Sequence, residues 1–339
     1  MNNGVRFAVI GINHGHIYGQ IQHMLNAGAE FACWYAPEPD LAAAFGQKFD
    51  TVPKAENEEQ ILEDPSIHLI LSAGIASHRA PLGIRVMRHG KDYMSDKPGI
   101  TSLEQLAEVR KVRAETGRIY SICYSEHYDS ACTVKAGELV QSGAIGRVVQ
   151  TLGVGPHRAG VGGRPEWFFK KDGYGGVLTD IGSHQVEQFL FFTDSKEAEV
   201  VSSLVANYKF PEYPEMEDFG EMTLRGDGGH GYVRVDWYTP NGLSTWGDGR
   251  LTILGTEGYI ELRKYVDVAR PKRGENLFIV VGEGERYIDC AGTPLPYGPQ
   301  LVRDILDRTE THCSQERTFL AMELALLAEA RATRLGNLT

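Results

Sequence analysis

Apolar and polar positions follow two periods in the first third of the chain, one that suits buried strands and one that suits helices. Short apolar runs predict strands at residues 5–12 and 69–73, and further strands are expected at 30–35, 92–95 and 119–124. Segments with helical spacing lie between them, at residues 17–27, 41–49, 58–62, 81–89 and 102–116. Because strands and helices alternate with short turns, the pattern predicts an α/β fold, a doubly wound parallel sheet with helices on both faces.

The pattern changes after about residue 124. A helix at 131–142, a strand at 148–154, a glycine-rich loop at 155–176 and a helix at 183–192 come first. Strands follow at residues 200–208, 220–224, 231–238, 250–254, 258–263, 277–281 and 285–289, and a long helix closes the chain at 316–335. This half therefore predicts an α+β domain with a large, mostly antiparallel open sheet. We expect two domains, 1–124 and 125–339.

Composition adds limits on partners and compartment. The 339 residues carry a net charge of −11, which argues against nucleic acid or an anionic membrane as the main partner. The five cysteines are scattered without C-x-x-C spacing, which favours free thiols over a secreted disulfide framework. No signal peptide is recognisable, and no apolar run is long enough to span a bilayer. We therefore expect a cytoplasmic protein.

One stretch in the second half combines glycines with two groups that can move protons. It runs Tyr174-Gly175-Gly176-Val177-Leu178-Thr179-Asp180-Ile181-Gly182-Ser183-His184, where the pattern predicts the start of a helix. Asp180 and His184 are four residues apart, about one helical turn, so both side chains fall on one face. A carboxylate beside an imidazole orients the ring and stabilises its protonated form. Spacing alone fits a general base and a solvated helix face equally well.

The turn after the first strand has the position of a dinucleotide-binding loop. It runs Gly11-Ile12-Asn13-His14-Gly15-His16 and leads into a helix whose free amides and dipole favour a pyrophosphate. Asn13 stands at the second glycine position, and it tolerates the left-handed conformation better than most residues. His16 stands at the third position and would crowd close helix–strand packing unless Gly15 takes that role. An ordinary tight strand–helix turn is the alternative.

Two further turns of this half can contact a dinucleotide or a substrate. The second strand lacks a terminal acid for the ribose hydroxyls of NAD, because Ala36 stands there and Glu38 lies two residues further on. No nearby Arg or Lys favours NADP, so the choice of cofactor stays open. Asp96-Lys97-Pro98 follows the strand at 92–95, and Lys97 can hydrogen-bond a hydroxyl or a developing alkoxide there. A solvated lysine in a proline turn is the alternative.

The long glycine-rich loop carries side chains that can contact a polar substrate. Arg158 and Arg164 can hold an acidic or polyhydroxylated ligand, and Trp167 can stack on a sugar ring. His157 and, from the turn after residue 124, His127 are further candidate substrate contacts. The alternative for Trp167 and the two phenylalanines that follow it is a hydrophobic anchor that ties the loop down.

Taken in order, these pieces resemble the Gfo/Idh/MocA oxidoreductases. The resemblance rests on a glycine-containing first turn, Asp96-Lys97-Pro98, Ser142-Gly143-Ala144-Ile145-Gly146 and the Gly-Gly-x-x-x-Asp-x-Gly-x-His pattern that ends at His184. It extends to Leu251-Thr252-Ile253-Leu254-Gly255-Thr256-Glu257-Gly258 and covers nearly the whole chain. Asp-Lys-Pro and Asp-x-x-x-His, in this order, are its most specific motifs.

The resemblance implies an N-terminal Rossmann domain, a C-terminal domain built on a large open sheet, and NAD or NADP as cofactor, with no metal. It implies a dehydrogenase acting on the CH–OH of a sugar, inositol or related polyol, with Lys97, Asp180 and His184 as catalytic residues. It also implies a homodimer or homotetramer formed through the C-terminal sheet. The positions that match the family's cofactor contacts are Gly11, Asn13, His14, Gly15, His16, Ala36, Glu38, Ala73, Gly74, His78, Asp96 and Lys97.

Four positions depart from the family pattern, mostly at the expected cofactor site. Asp96 replaces a glutamate before Lys-Pro, and Ala36 replaces the acid after the second strand. Pro-Asn-x-x-His is replaced by Ile-Ala-Ser-His-Arg, which puts the expected histidine at Arg79, or at His78 with a shift of one residue. Asn-x-Arg after Tyr124 is replaced by Ser-Glu-His. The acid–base residues are therefore kept better than the cofactor contacts.

The resulting hypothesis is hydride transfer between a substrate carbinol carbon and a nicotinamide. His184 removes the hydroxyl proton, Asp180 orients the ring, and Lys97 steadies the oxygen as charge develops. A redox-neutral epimerase or lyase that uses the cofactor transiently is one alternative, and a ligand-sensing protein without turnover is another. A divalent-metal site on Asp180, His184, His157 and His127 is a third, without the tight ligand spacing that would support it.

Overall fold

The structure is a computed structural model and describes residues 4–270 and 274–336. These residues form two compact units. The first unit consists of the described part of Met1–Cys123 together with Asp172–Tyr174 and Pro296–Phe319. The second consists of Tyr124–Lys171 and the described parts of Gly175–Leu295 and Leu320–Thr339. Both units are therefore discontinuous in sequence.

Strands and helices are numbered here in chain order. The described strands are β1 (Arg6–Ile10), β2 (Glu30–Tyr35), β3 (Leu69–Ser72), β4 (Asp92–Asp96), β5 (Tyr120–Cys123), β6 (Val148–Pro156), β7 (Ala198–Ala206), β8 (Phe219–Gly226), β9 (His230–Asp236), β10 (Arg250–Gly255), β11 (Gly258–Arg263), β12 (Asn276–Val281), β13 (Gly284–Asp289) and β14 (Thr333–Leu335). The described α-helices are α1 (Ile17–Asn26), α2 (Pro39–Lys48), α3 (Glu58–Leu62), α4 (Ala76–Arg88), α5 (Leu103–Thr116), α6 (Ser125–Tyr128), α7 (Ala131–Gln141), α8 (Lys171–Tyr174), α9 (Ser183–Thr193), α10 (Tyr297–Asp307) and α11 (Gln315–Arg331). A π-helical turn, Leu178–Gly182, directly precedes α9.

The first unit is built on a parallel sheet of five strands in the order β2-β1-β3-β4-β5. Strands β3, β4 and β5 are buried along their whole length, as is typical of a parallel sheet, and β4 includes the polar residues Asp92, Ser95 and Asp96. The α/β fold predicted from the alternation of strands and helices is confirmed.

Local signals set the ends of the helices in this unit. Ser102 caps α5 by accepting the amide of Gln105 at 3.1 Å, and Gly117, with a φ of 65°, ends the same helix. Asn57 caps α3 by accepting the amide of Gln60. The helices predicted at 58–62 and 102–116 are therefore present, and each begins at a polar side chain that satisfies a free amide.

The C-terminal segment Pro296–Phe319 completes the first unit. The amide of Tyr120, in β5, donates to Oε1 of Gln315 at 2.8 Å, and Oγ of Ser121 lies 2.8 Å from the hydroxyl of Tyr297. Arg308 donates to both carboxylate oxygens of Asp92 at 2.7 and 2.9 Å. These contacts involve buried strand residues, so the segment is part of the folded unit.

The second unit is built on a sheet of nine described strands in the order β13-β12-β11-β10-β6-β9-β8-β7-β14. The pairs β6–β9 and β7–β14 are parallel, and the other pairs are antiparallel. The predicted mostly antiparallel open sheet is therefore confirmed.

Residues alternate between two different faces along these strands. One face is buried, and it includes Leu251 and Ile253 of β10 with Ile260 and Leu262 of β11, packed with α7. On the other face, Leu152, Leu254 and Tyr259 are 39%, 42% and 41% exposed. Since Leu254 pairs directly with Tyr259, and Leu152 with the neighbouring Thr252, these apolar side chains form one patch.

Two expectations for the C-terminal part are wrong. The final helix, predicted at 316–335, ends at Arg331, and Thr333–Leu335 forms β14 instead. The edge of β7 offers backbone groups to which this segment bonds in parallel, which a helical pattern does not reveal. The sequence pattern also assigns no element to Tyr297–Asp307, which forms α10. Gly298 and Pro299 obscure the helical period there, although proline is tolerated in a first turn.

Among residues 4–270 and 274–336, no helix is both long enough and apolar enough to cross a membrane.

Candidate functional site

The loops after β1 and β3 meet closely in the first unit. Gly11 has a φ of 82°, and a Cβ built on it would lie 3.1 Å from Cα of Gly74. The amide of His14 donates to the carbonyl of Ala73 at 2.9 Å, and the amide of Ala73 donates to the carbonyl of Gly11 at 3.1 Å. Position 11 therefore needs glycine for its backbone conformation and for this close approach. The junction lies at the carboxyl ends of parallel strands, where such sheets bind ligands.

A pocket of about 300 Å³ lies beside the junction, and its lining includes Gly11, Asn13, Glu38, Gly74 and His78. Nδ2 of Asn13 donates to Oε1 of Glu38 at 2.7 Å. The other oxygen of Glu38, Oε2, is buried and has no hydrogen-bond partner among the described residues. A carboxylate that has one oxygen fixed and the other without a partner can accept a hydrogen bond from a ribose hydroxyl, so the lining fits a dinucleotide.

This contact accounts for two departures from the family pattern together. Ala36, at the position of the missing acid, is fully buried and contributes no polar group. Glu38 directly precedes α2 and lines the pocket, and the side chain of Asn13 binds its carboxylate there. The second glycine position is therefore occupied by the side chain that orients the replacement acid.

Gly15 and His16 do not have the packing role of a third glycine. A Cβ built on Gly15 would meet no heavy atom within 4 Å, so no close helix–strand contact exists at that position. The side chain of His16 turns to Asp96, with Nδ1 2.9 Å from Oδ1. The ring of His14 lies 4.1 Å from that of His16, and its Nδ1 is 3.4 Å from Oδ2 of Asp96.

Asp96, at the end of β4, is the centre of a buried network. NH2 of Arg79 lies 3.1 Å from Oδ2 of Asp96, and both side chains are 2% exposed. Arg79 also donates through Nε to the carbonyl of Gly74 at 2.8 Å and through NH1 to the carbonyls of Lys97 and Pro98. Arg79 stands where the family pattern has a histidine, and here it joins the loop after β3 to the turn after β4.

Charges in this network set the protonation of its members. Burial would raise the pKa of Asp96, but His16 and Arg79 hold it well below its usual range. Burial and the neighbouring His16 lower the pKa of His14 well below its usual value. Asp96 is therefore an anion and His14 a neutral ring at neutral pH.

Lys97 is held by its backbone on both sides. Its amide donates to Oδ1 of Asp96 at 2.8 Å, its carbonyl accepts from Arg79, and the peptide bond to Pro98 is cis. The residue is 6% exposed. Lys97 is therefore a buried lysine at the carboxyl end of a parallel strand, the edge where such sheets bind ligands.

In the second unit, Asp180 lies in the π-helical turn, and His184 lies in the first turn of α9. The predicted helix at 183–192 is confirmed, but the wider turn before it was not predicted. Asp180 and His184 are 8% and 1% exposed, so neither belongs to a solvated face. Single π-turns are frequent at functional sites. Burial lowers the pKa of Arg164, and the negative charge of Asp180 opposes that lowering.

A buried polar network lies next to His184. Nε2 of Gln185 and Nζ of Lys264 donate to Oε2 of Glu126 at 2.6 and 3.2 Å. Lys264 also donates to Oε1 of Gln188 at 2.6 Å, and Nε2 of Gln188 donates to the carbonyl of His184 at 2.9 Å. The network thus extends from α6 through Lys264 to the backbone of His184.

Glu126 carries the negative charge of this network. Burial would raise its pKa, but Lys264, His184 and His157 lower it to about 2. The carboxylate stays ionised over the ordinary pH range, and both histidines lie within its electrostatic reach.

The predicted substrate contacts in the long loop differ in what they bind. Arg158 donates to the carbonyls of Pro240, Leu243 and Thr245, and therefore ties two loops together. Arg164 donates to the carbonyl of Ala159 and lies over the rings of Phe168 and Trp237. Their guanidinium groups thus already have partners within the unit.

His157 and Trp167 have aromatic neighbours. The ring of His157 lies 5.5 Å from that of Trp237 and 4.5 Å from that of Trp246, which is 46% exposed. Trp167 is half-buried, with its ring 6.4 Å from that of Phe168, whereas Phe168 itself is buried. Phe168 and Trp237 are 5.1 Å apart and join these rings into one group, of which Trp246 is the exposed member.

His127 is buried, and its Nδ1 lies 2.8 Å from Oε2 of Glu187. Its ring packs against Phe191 and Tyr128 at 4.4 and 4.8 Å. Its position is typical of a paired structural histidine.

The partners of Arg79, Glu126 and Lys264 were not predicted from the sequence. Lys264 had a signal, because it continues the alternation of buried Ile260 and Leu262 in β11. Arg79 and Glu126 appeared only as departures from the family pattern, without a partner that could be named in advance.

Comparisons with known proteins agree with these two units. A family model described as "Oxidoreductase family, NAD-binding Rossmann fold" matches residues 5–124, and the "GFO/IDH/MocA C-terminal domain" model matches residues 133–261. A crystal structure of a putative oxidoreductase from Erwinia carotovora atroseptica SCRI1043 is 49% identical, with a TM-score of 0.95, and the alignment covers 98% of this chain and 99% of that one.

More distant relatives have stated activities. A scyllo-inositol 2-dehydrogenase (NAD(+)) of Bacillus subtilis (strain 168) is 24% identical over 267 residues, which are 77% of this chain and 74% of that one. A levoglucosan dehydrogenase in complex with NADH has a TM-score of 0.76 at 16% identity, covering 96% of this chain and 95% of that one. The latter likeness concerns the fold alone.

Proposed function

Because the chain belongs to the Gfo/Idh/MocA family of oxidoreductases, we propose that it is an NAD-dependent dehydrogenase of a sugar, inositol or related polyol. The observation that carries the proposal is the pocket beside β1 and β3, where one oxygen of Glu38 is bound by Asn13 and the other is buried without a partner among the described residues. The names of two relatives, a scyllo-inositol 2-dehydrogenase and a levoglucosan dehydrogenase, support the substrate class.

The family's cofactor is a nicotinamide dinucleotide, NAD or NADP, and the lining of the pocket favours NAD. The negative charge of Glu38 would repel a 2′-phosphate, whereas its unpartnered oxygen would accept from a 2′-hydroxyl. Arg85, also on the lining, lies 2.5 Å from Glu58, so its charge is already neutralised. The dipole at the start of α1 would favour the pyrophosphate.

Three residues carry the chemistry in this proposal. His184 accepts the proton of the substrate hydroxyl, and Asp180 stabilises the resulting imidazolium. The ammonium group of Lys97 stabilises the negative charge that develops on the substrate oxygen. When bound, the nicotinamide supplies the hydride acceptor or donor. Arg79 and Asp96 act indirectly by fixing the backbone of Lys97.

Cofactor binding is the first test. We expect the wild type to bind NADH at least about tenfold more tightly than NADPH in a fluorescence titration, and Glu38→Ala to lose about tenfold or more of the NADH affinity. Glu63→Ala, at an exposed position just after α3, is the matched control. Equal binding of both dinucleotides, or unchanged NADH affinity in Glu38→Ala, would contradict the preference for NAD.

Turnover is the second test. The wild type is offered NAD with a panel of inositols, aldoses and sugar alcohols, and NADH formation is followed. Lys97→Ala and His184→Ala should lose at least about a hundredfold in kcat. The exposed Lys111→Ala and His89→Ala are matched controls that should keep wild-type activity. Full activity in Lys97→Ala or His184→Ala would refute the assignment of that residue as catalytic. Substrate isomerisation without net NADH would favour a redox-neutral use of the cofactor.

Self-association through the nine-stranded sheet is a further part of the proposal. The support is the exposed patch of Leu152, Leu254 and Tyr259 on its open face, with Thr252 between them. Light scattering after size exclusion should give a dimer or tetramer for the wild type. The double variant Leu152→Glu/Leu254→Glu should be a monomer, and Leu41→Glu, at an exposed leucine of α2, should not. A monomeric wild type would refute this part.

A further inference from the structure

Two buried glutamates meet the beginning of the π-helical turn that carries Asp180. The amide of Val177 donates to Oε2 of Glu217 at 3.1 Å, and the amide of Leu178 donates to Oε2 of Glu329 at 3.0 Å. Glu217 precedes β8, Glu329 lies in α11, and they are 4% and 5% exposed. We call Glu217 and Glu329 the carboxylate clamp. They accept from amides that have no intrahelical acceptor at a helix start.

Two cations neutralise the carboxylate clamp from its other side. Nζ of Lys171 donates to Oε1 of Glu217 at 2.5 Å and also to Oε1 of Glu329. NH1 of Arg334 donates to Oε1 of Glu217 at 2.6 Å, and its NH2 lies 3.7 Å from Oε1 of Glu329. One carboxylate oxygen of each glutamate thus accepts from the cations, and the other accepts from an amide at the start of the turn. Both oxygens of each carboxylate are therefore held in place.

Gly176, just before the π-helical turn, lies very close to the carboxylate clamp. Gly176 has a φ of 105°, and a Cβ built on it would lie 2.3 Å from Cδ of Glu329 and 2.4 Å from Nζ of Lys171. The carbonyl of Gly176 accepts the amide of Asp180 at 2.8 Å. The backbone that bonds directly to Asp180 is therefore pressed against the clamp, and any side chain at this position would force the two apart.

The start of a helix does not require two buried carboxylates. A single serine caps α5 in this chain. Here two carboxylates come from segments 40 and 151 residues away and are buried beside each other. Burial and the charge of Glu217 raise the pKa of Glu329 to about 7, which means that ionising the pair is costly. Costly arrangements of this kind persist where the position of a functional group depends on them.

We propose that Glu217 and Glu329 are positioning residues that fix Asp180 for proton transfer by holding the amides of Val177 and Leu178. The inference rests on the proposed dehydrogenase function. It adds a residue of α11, far along the chain from the Gly-Gly-x-x-x-Asp-x-Gly-x-His motif, to the residues on which the reaction depends. Neither glutamate needs to touch substrate or cofactor.

The kinetic test compares Glu329→Gln, Glu329→Ala and Glu217→Ala with the wild type. Glutamine keeps an oxygen for the amide of Leu178, whereas alanine removes it, so kcat should decrease in the order wild type, Glu329→Gln, Glu329→Ala. We expect about a 10- to 100-fold loss of kcat in both alanine variants, the loss typical of a misplaced reacting group. The KM for NAD, which binds the first unit, should stay within about twofold of the wild type.

Matched controls separate this effect from a general loss of charge. Glu316→Gln changes an exposed glutamate of the same helix, and Glu212→Gln changes an exposed one near Glu217. Both should behave as the wild type. Because glutamine removes the cost of burying a second carboxylate, Glu329→Gln is expected to fold even if an alanine variant does not.

Hydrogen–deuterium exchange of the segment around residues 176–184 gives a readout that does not depend on turnover. Faster exchange there in Glu329→Ala and Glu217→Ala, together with the loss of kcat, supports the proposal. Unchanged exchange, or faster exchange with wild-type kcat, overturns it. A wild type that oxidises no polyol with either dinucleotide refutes the dehydrogenase assignment instead, and exchange then decides whether the two carboxylates hold the turn.

Discussion

Replacing Glu329 by glutamine should change how the stability of the protein depends on pH. In the folded chain, burial and the charge of Glu217 raise the pKa of this carboxyl to about 7 from its ordinary value of 4.5. The folded state therefore binds the proton more tightly than the unfolded state does. This contribution to stability is complete below pH 4.5 and is lost as the pH rises through about 7.

The size of the effect follows from the same two values. Each pKa unit corresponds to about 1.4 kcal/mol, so the wild type should lose about 3 kcal/mol of this contribution between pH 4.5 and pH 8. Glu329→Gln cannot ionise and has no such loss. The free energy of unfolding of the wild type, minus that of the variant, should therefore fall by about 3 kcal/mol over this range.

Urea denaturation at a series of pH values measures this difference. Tryptophan fluorescence suits the purpose, since Trp167, Trp237 and Trp246 lie in the same unit as Glu329. Glu316→Gln is the control for a lost surface charge. Because the charge of Glu217 raises the pKa of Glu329, Glu217→Gln should also make the pH dependence smaller. Parallel curves for the wild type and Glu329→Gln would refute the reasoning.

Other substitutions test further parts of the structure. Lys264, His184 and His157 lower the pKa of Glu126 to about 2. As the pH falls from 4.5 to 2, the wild type should therefore lose about 3 kcal/mol of its free energy of unfolding relative to Glu126→Gln. An acid titration followed by circular dichroism measures this loss. Asp96→Asn leaves a buried arginine without its anion and should cost about 3–5 kcal/mol in chemical denaturation. Gly176→Ala should lower the melting temperature, whereas Gly15→Ala, which meets no atom, should not.

Local patterns were sufficient to predict both sheets. Leu69–Leu71 of the buried strand β3 form a continuous apolar run, and buried and exposed positions alternate along β10 and β11, so each pattern predicts the surroundings of its own strand. The turn chemistry at Gly11, with its positive φ, was also predictable, because it depends on one residue and its neighbours.

Contacts between distant segments could not be predicted in this way. Asn13 looks like an imperfect glycine until Glu38, 25 residues later, is seen to bind it. Arg79 looks like a lost histidine until the structure places it against Asp96. In both cases the substituting side chain has a partner in another loop, and sequence spacing carries no information about that partner.

The π-helical turn at Leu178–Gly182 shows a different limit. The spacing of Asp180 and His184 suits a regular helix, so periodicity predicts one. What distinguishes the wider turn is its binding to Glu217 and Glu329, from segments far away in sequence. Only Glu329 had a signal, as an acid that continues the buried face of α11 after Met322 and Ala325.

The discontinuity of the first unit has a consequence for synthesis on the ribosome. The amide of Tyr120, in the edge strand β5, bonds to Gln315, which lies 195 residues further along the chain. At translation rates of about 5–20 residues per second, about 10–40 s pass between the synthesis of β5 and that of Gln315. During that interval the nascent Rossmann sheet has an open, apolar edge. This is the stage at which a chaperone would have most to protect, and at which stalled translation would leave an aggregation-prone fragment.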